Sequence, residues 1–223
     1  MENLKLYYPV KPINFKAIQR FGIENTLPSM IAEYNKIGLK GHNGWDINAY
    51  HGQPVYSTHK GIITWAGLDG SNGYIVVLKT LEAFTYKNGQ AFYKTLYGHL
   101  IKEIPVKVGQ VVDVGEVIGY ADNTGFSYGD HLHFGVKPIQ QGEEDWQWFN
   151  IETSNGYYGA IDPEPFFNGL YAQDYKLIPA VIETVNTGIE IVKEVSKDNT
   201  QESKNQSIKI LDFLANLLKS LFS

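Results

Sequence analysis

Six histidines, His42, His51, His59, His99, His131 and His133, carry most of the chemistry open to this chain. His131 and His133 flank Leu132 in Asp130-His131-Leu132-His133-Phe134-Gly135-Val136. In a strand, alternate side chains share a face, so both imidazoles point one way and Leu132 points into a core. Neighbouring imidazoles repel when both are charged, and metal ligation is the commonest reason to keep them together. The plain alternative is two exposed surface histidines. A second group is Gly41-His42-Asn43-Gly44-Trp45-Asp46. Its two glycines argue against a helix. In a loop running into a strand, the His42 imidazole and the Asp46 carboxylate converge on one point, and both are good zinc ligands. An Asx turn beside a surface histidine is the alternative. Tyr97-Gly98-His99-Leu100 ends a predicted strand, where a lone histidine reads as a hydrogen-bonded structural residue. His51 and His59 have no partner at informative spacing and are expected at the surface.

Composition narrows the chemistry further. The 223 residues suit one domain with an appendage. There is no cysteine, which removes disulfides, cysteine zinc knuckles, iron–sulfur clusters and thiol catalysis together. A metal site must therefore use His, Asp and Glu. A net charge of −5 argues against a nucleic-acid partner, because neutralising phosphates needs a Lys/Arg excess. The first residues, MENLKLYYPVKPINFK, carry charges and two prolines instead of the apolar run of a signal peptide. The expectation is a protein made in the cytoplasm and released to act elsewhere.

The elements that must position these residues are mostly strands. Residues 1–172 read as β-rich: short β-branched and aromatic runs, such as Gly61–Ala66, Tyr74–Lys79 and His131–Val136, are punctuated by glycine. Asn88-Gly89 lies between two aromatic-rich runs and marks a hairpin. GQPVYSTHKGIITWAG (52–67) and GQVVDVGEVIGYAD (109–122) look alike and suggest two related hairpin units folded against each other. Twin hairpins of this kind also resemble the biotinyl/lipoyl carrier fold. That reading needs a modifiable lysine with suitable flanks, which Lys60 lacks, and leaves the histidines unexplained.

From about 173 the pattern becomes helical. Ile178, Val181, Ile182, Val185, Ile189 and Val192 repeat on one helical face. Residues 196–207 hold no apolar side chain and read as a linker. Ile208–Phe222 is a helix apolar over most of its surface, too short to cross a membrane. It is expected to pack on the 178–195 helix, on the β-rich domain or on another copy. A contact with a membrane surface through 208–222 is the sharper alternative.

Taken together, GHxGxD at 41–46, GHL at 98–100 and HLHF at 131–134 resemble the lysostaphin/LytM-like family of zinc endopeptidases that cut peptidoglycan peptides. The likeness runs through VKVGQVVDVGEVIGYADNTGFSYGDHLHFGV to Ile161-Asp162-Pro163 and covers roughly residues 18–167. It implies a mainly β, antiparallel catalytic domain with a groove, taken as 1–172; the helical extension over 173–223 lies outside the likeness. It implies that His42, Asp46 and His133 bind one zinc and that His99 and His131 are the catalytic histidines beside it. Which histidine of the HLH segment is the ligand comes from the resemblance alone. Two departures stand out: Gly135 follows HLHF where an acidic residue is common, and the stretch from 137 to 161 is long.

Three protein ligands would leave a fourth zinc position for water, whose pKa falls toward about 7. No HExxH motif is present, so a histidine must take the base's part, and the residues do not say whether it is His99 or His131. The substrate class implied is bacterial wall peptide, either cross-bridge or stem. Tyr128, Trp146, Trp148 and Tyr157, close in sequence to the HLH segment, are candidates to line the groove. The setting expected is a phage-type lysin. The alternative is an exported or inactive relative that binds the wall and regulates other hydrolases.

Overall fold

A computed structural model describes residues 2–11, 17–140, 151–198 and 200–220. Its strands are β1 (Leu6–Tyr8), β2 (Ala17–Gln19), β3 (Trp45–Asn48), β4 (Pro54–Tyr56), β5 (Gly61–Leu68), β6 (Tyr74–Thr80), β7 (Phe84–Tyr86), β8 (Gly89–Leu100), β9 (Val111–Val112), β10 (Val117–Tyr120), β11 (His131–Ile139) and β12 (Phe167–Tyr171). The helices are α1 (Pro28–Lys36), α2 (Ile178–Val195) and α3 (Gln201–Ser220). One large antiparallel sheet runs in the order β2-β3-β11-β8-β6-β5-β9, with β7 paired to β8. Two small sheets, parallel β1–β12 and antiparallel β4–β10, complete the β structure.

The strand period divides the large sheet into two faces. On β11, Leu132, Phe134 and Val136 are fully buried in the main core with Leu6, Val55, Ile118 and Tyr97. Their alternates His133, Gly135 and Lys137 share the opposite face with their direct neighbours Gly98, Leu96 and Lys94 on β8. That opposite face is the floor of a groove.

The two similar stretches do pair, but each strand finds its partner in the other stretch. Strand β4 of the first pairs β10 of the second, and β5 of the first pairs β9 of the second. The Asn-Gly hairpin is present one residue early: Tyr86 pairs Gly89, and the positive φ of 50° falls on Lys87.

Three features differ from the sequence reading. Helix α1 interrupts the β-rich region. Its signals are Pro28 in the first turn and Gly38 beyond the end at φ 79°, where Gly38 N and Leu39 N donate to the Asn35 and Tyr34 carbonyls. The linker over 196–207 ends at Thr200, and residues 201–207 are the start of α3. Thr200 caps that helix, its Oγ1 accepting from Ser203 N at 3.1 Å. Two turns without apolar residues have no periodicity to betray them. His59, expected at the surface, is 5% exposed. Its Nε2 meets Thr95 Oγ1 at 3.0 Å and its Nδ1 donates to the Lys60 carbonyl at 2.8 Å.

Helices α2 and α3 form an antiparallel hairpin. Buried Leu214 lies over Gly188, and Ser196 Oγ is 3.3 Å from Ser207 Oγ. Ser203, Ser207 and Leu214 make the covered stripe of α3. Ile182 and Ile189 of the expected apolar face stay exposed, as do Ile208, Leu211 and Phe213 of α3. Among the described residues no helix is long and apolar enough to cross a membrane.

Candidate metal centre and groove

His42 is held before it reaches the centre. Its backbone N–H donates to Thr26 Oγ1 at 2.9 Å, and its ring Nδ1 donates to the Arg20 carbonyl at 3.1 Å. That fixes the tautomer and leaves Nε2 facing inward. Asp46 lies on β3 directly opposite His133 on β11. His42 Nε2, Asp46 Oδ1 and His133 Nδ1 form a triangle with sides of 3.1, 3.0 and 3.1 Å. Gly44 permits the approach, since a Cβ there would lie 2.8 Å from the His133 ring and 2.5 Å from the Phe134 carbonyl.

The donor set fits a zinc-sized cation. Tetrahedral ligands at about 2.0–2.1 Å from a metal stand about 3.3 Å apart, close to the sides of this triangle. Two nitrogens and a carboxylate oxygen so arranged are a group able to hold a metal ion. Burial pushes the Asp46 carboxyl up, but charge on His42 and hydrogen bonds from His131, His133 and His42 outweigh it and hold it well below the usual carboxylate range. Asp46 is therefore an anion at neutral pH. Burial pushes His133 down despite the Asp46 carboxylate, which favours the neutral ring a metal needs.

His99 and His131 stand beside the triangle, their ring centroids 4.7 Å apart. His99 Nδ1 donates to the Thr124 carbonyl at 2.7 Å. His131 Nδ1 donates to the Gly129 carbonyl at 2.8 Å, and its Nε2 is 3.4 Å from Asp46 Oδ1. Burial, then the charges of His133 and His131, lowers His99 to about 4. For His131 the burial penalty is overcome by the Asp46 carboxylate, and the net shift is upward.

The aim of His99 breaks the strand period. Tyr93, Thr95 and Tyr97 point to the core, so strict alternation would send His99 there too. Instead the β6–β8 register slips between the Val76–Tyr97 and Tyr74–Leu100 pairs, and His99 adopts φ 60°. This bulge turns the imidazole into the groove, a use common beside active sites.

The groove encloses about 1010 Å³. One wall comes from α1 and its flanks through Leu27, Met30, Tyr34 and Ile37, and the other from Phe126 and Tyr128. Tyr128 is thus on the groove. Tyr157 is not among its lining residues: its ring packs on Phe21 with centroids 4.6 Å apart, and its hydroxyl accepts from Ile23 N. The neighbouring Tyr158 lines the groove in its place. Trp146 and Trp148 lie outside the described residues. The wall from α1 is what the sequence reading missed, and the Pro28 and Gly38 brackets were its available signal.

A β-sheet groove whose floor presents a His-Asp-His triangle with two more histidines alongside defines a metallopeptidase domain. Residues 40–145 match the family model of peptidase family M23. Among curated relatives, the peptidoglycan DD-endopeptidase ShyB of Vibrio cholerae is 42% identical over 97 residues, 43% of this chain and 20% of the relative. The L-Ala--D-Glu endopeptidase of Bacillus subtilis is 29% identical over 122 residues, 50% of this chain and 33% of the relative. The chain thus spans between a fifth and a third of the length of these two relatives. Among solved structures, the catalytic domain of lysostaphin from Staphylococcus simulans aligns with TM-score 0.49 at 25% identity, covering 69% of this chain and 92% of that one.

Proposed function

We propose that this chain is a zinc-dependent endopeptidase that hydrolyses peptide bonds of bacterial peptidoglycan, with one zinc held by His42, Asp46 and His133. The observation that carries the proposal is the triangle of donors at metal-binding separation, set in a groove beside two histidines whose Nδ1 atoms are already fixed. When bound, the metal supplies Lewis acidity, which polarises a carbonyl and lowers the pKa of water toward about 7. The protein's own part is positional. The Thr124 and Gly129 carbonyls hold the rings of His99 and His131 by Nδ1, which leaves Nε2 of His99 to the reacting groups and sets Nε2 of His131 3.4 Å from Asp46 Oδ1. There they accept a proton from the attacking water, return it to the leaving amine, or hydrogen-bond the developing oxyanion. The α1 wall and Tyr128 shield the substrate from bulk water on either side.

The relatives named as peptidoglycan endopeptidases support the substrate class. Mass spectrometry of fragments released from purified walls of different chemotypes, by zinc-loaded and chelator-treated protein, tests the proposal. Release of new amine termini only by the loaded protein is the expected result. Wall binding without cleavage would favour the regulatory relative instead. Loss of turbidity when the protein is added to intact cells tests the further reading that it works as a bacteriolytic, phage-type lysin.

A further inference from the structure

The loop over 123–129 supplies the Thr124 and Gly129 carbonyls that hold His99 and His131, and the Phe126 and Tyr128 wall of the groove. Both ends of this loop are acidic, with Asp122 before it and Asp130 after it. The backbone draws the ends together: Asp122 bridges to His131, whose N–H donates to the Asp122 carbonyl at 3.2 Å, and Asp130 comes alongside. A third side chain arrives from the turn at 50–53. Gly52 N donates to the Ala121 carbonyl at 2.8 Å and Ala121 N to the Gln53 carbonyl at 2.9 Å, which sets His51 next to Asp122. His51 Nδ1 lies 2.7 Å from Asp122 Oδ1. One ligand atom from each of His51, Asp122 and Asp130 lies within 4.8 Å of the other two. Among the described residues no lysine or arginine pairs with either carboxylate. Two carboxylates this close repel unless a proton or a cation lies between them. The side chain of His51 is 66% exposed and Asp130 is also exposed, so an ion reaches all three from solvent.

We propose that His51, Asp122 and Asp130 form a second divalent-cation site, with no ligand in common with the His42–Asp46–His133 centre. An imidazole nitrogen beside two carboxylate oxygens suits a zinc-class transition ion better than calcium or magnesium, which take oxygen shells. Tetrahedral zinc ligands stand about 3.3 Å apart, so the exposed His51 and Asp130 side chains close on the ion by small rotations while the backbone hydrogen bonds stay. With the ion bound, the His51 ring carries its proton on Nε2 and gives Nδ1 to the metal. The site is weaker than the buried centre, because two of its three side chains are ordered from an exposed state, and it therefore fills second. Its effect is that of a clip. The ion ties the two ends of the 123–129 loop to each other and to the 50–53 turn, which restricts the open forms of the loop. It thereby steadies the carbonyls that aim His99 and His131.

The test titrates the full-length protein, already carrying one equivalent of zinc, with further zinc in a calorimeter. The wild type is expected to take up a second equivalent. His51→Ala and Asp130→Asn are each expected to weaken that second event by about tenfold or more and to keep the first. His42→Ala is expected to do the reverse, losing the first event and keeping the second, so failure of one site is read separately from failure of the other. Hydrogen exchange of the 123–129 amides should slow when the second equivalent binds the wild type, and stay unchanged in His51→Ala and Asp130→Asn. Both substituted side chains are exposed, so the variants fold and the comparison stands. Uptake of only one equivalent by the wild type overturns the proposal, as does a second equivalent held equally well by both variants. A second equivalent lost in His99→Ala but kept in His51→Ala places the ion on the groove histidines and overturns it too.

Discussion

At the scale of single residues, His99 pays for its aim in backbone conformation. A non-glycine residue at φ 60° costs about 1–2 kcal/mol, and only glycine escapes that penalty. In an ordinary strand alanine is the more stable replacement. Here the order should invert, with His99→Gly more stable than His99→Ala by about 1 kcal/mol in urea unfolding. Both should keep their zinc and lose about 10²–10⁴ in hydrolysis rate. Equal stability of the two would show that the bulge relaxes when the imidazole is removed. His42→Ala, Asp46→Ala and His133→Ala should behave oppositely and lose zinc in elemental analysis, since each removes one of three direct ligands. Full occupancy in all three would refute the triangle.

His59 contributes through pH. Burial lowers it to about 4 from an ordinary 6.5, so between those values the unfolded chain binds a proton that the folded one refuses. Its contribution is complete above pH 6.5 and is lost as pH falls toward 4, in total about 3 kcal/mol. His59→Gln should flatten that part of the stability curve; an unchanged acid slope would show that His59 charges without cost. The convergence of His42, Asp46 and His133 was legible because their residue types suit ligation and their motifs together resemble one family. The burial of His59 was not, because its partner Thr95 comes from β8, 36 residues away, rather than from any pattern around it. Tyr157 and Tyr158 illustrate the same limit: adjacent aromatics in a loop do not reveal which one faces the groove.

Elements, not residues, decide where His99 meets its anchor. The Thr124 carbonyl that orients it is held against the turn at 69–73: Tyr74 N donates to Thr124 Oγ1 at 3.1 Å and Phe126 N to the Ser71 carbonyl at 2.7 Å. Gly73, at φ 69°, allows this, since a Cβ there would lie 2.4 Å from the Thr124 carbonyl oxygen. Gly73→Ala should therefore displace Thr124 and reduce hydrolysis by about 10²-fold, the cost of a misplacement near 1 Å, while zinc stays bound. Normal turnover would show that the two loops separate freely. Strands β5, β6, β8 and β11 were readable from apolar runs bounded by glycine. The exchange of partners between the two similar stretches was not, because a strand's own sequence does not say which of two equivalent edges it joins. Nor was the His99 bulge, whose signal is a register slip against β6.

At the scale of the whole molecule, the helical hairpin stands apart in chemistry from the metallopeptidase domain. Its two helices cover each other along one stripe and leave Ile182, Ile208, Leu211 and Phe213 exposed. Deleting 197–223 uncovers the stripe of α2 as well. The shortened protein should keep zinc and hydrolysis but elute from a sizing column as a self-associated species. Loss of lipid binding, with stability and monomeric state unchanged, would point instead to a membrane-surface role for α3.

The pairing of β3 with β11 also sets an order of events during synthesis. His42 and Asp46 leave the ribosome early, but their third partner is 87 residues beyond Asp46. The strand that carries it must slot between β3 and β8, both already made. A nascent chain ending before His133 holds two of the three proposed ligands and lacks the strand that joins β3 to β8. Metal uptake at the proposed site therefore waits until β11 has joined β3 and closed the sheet.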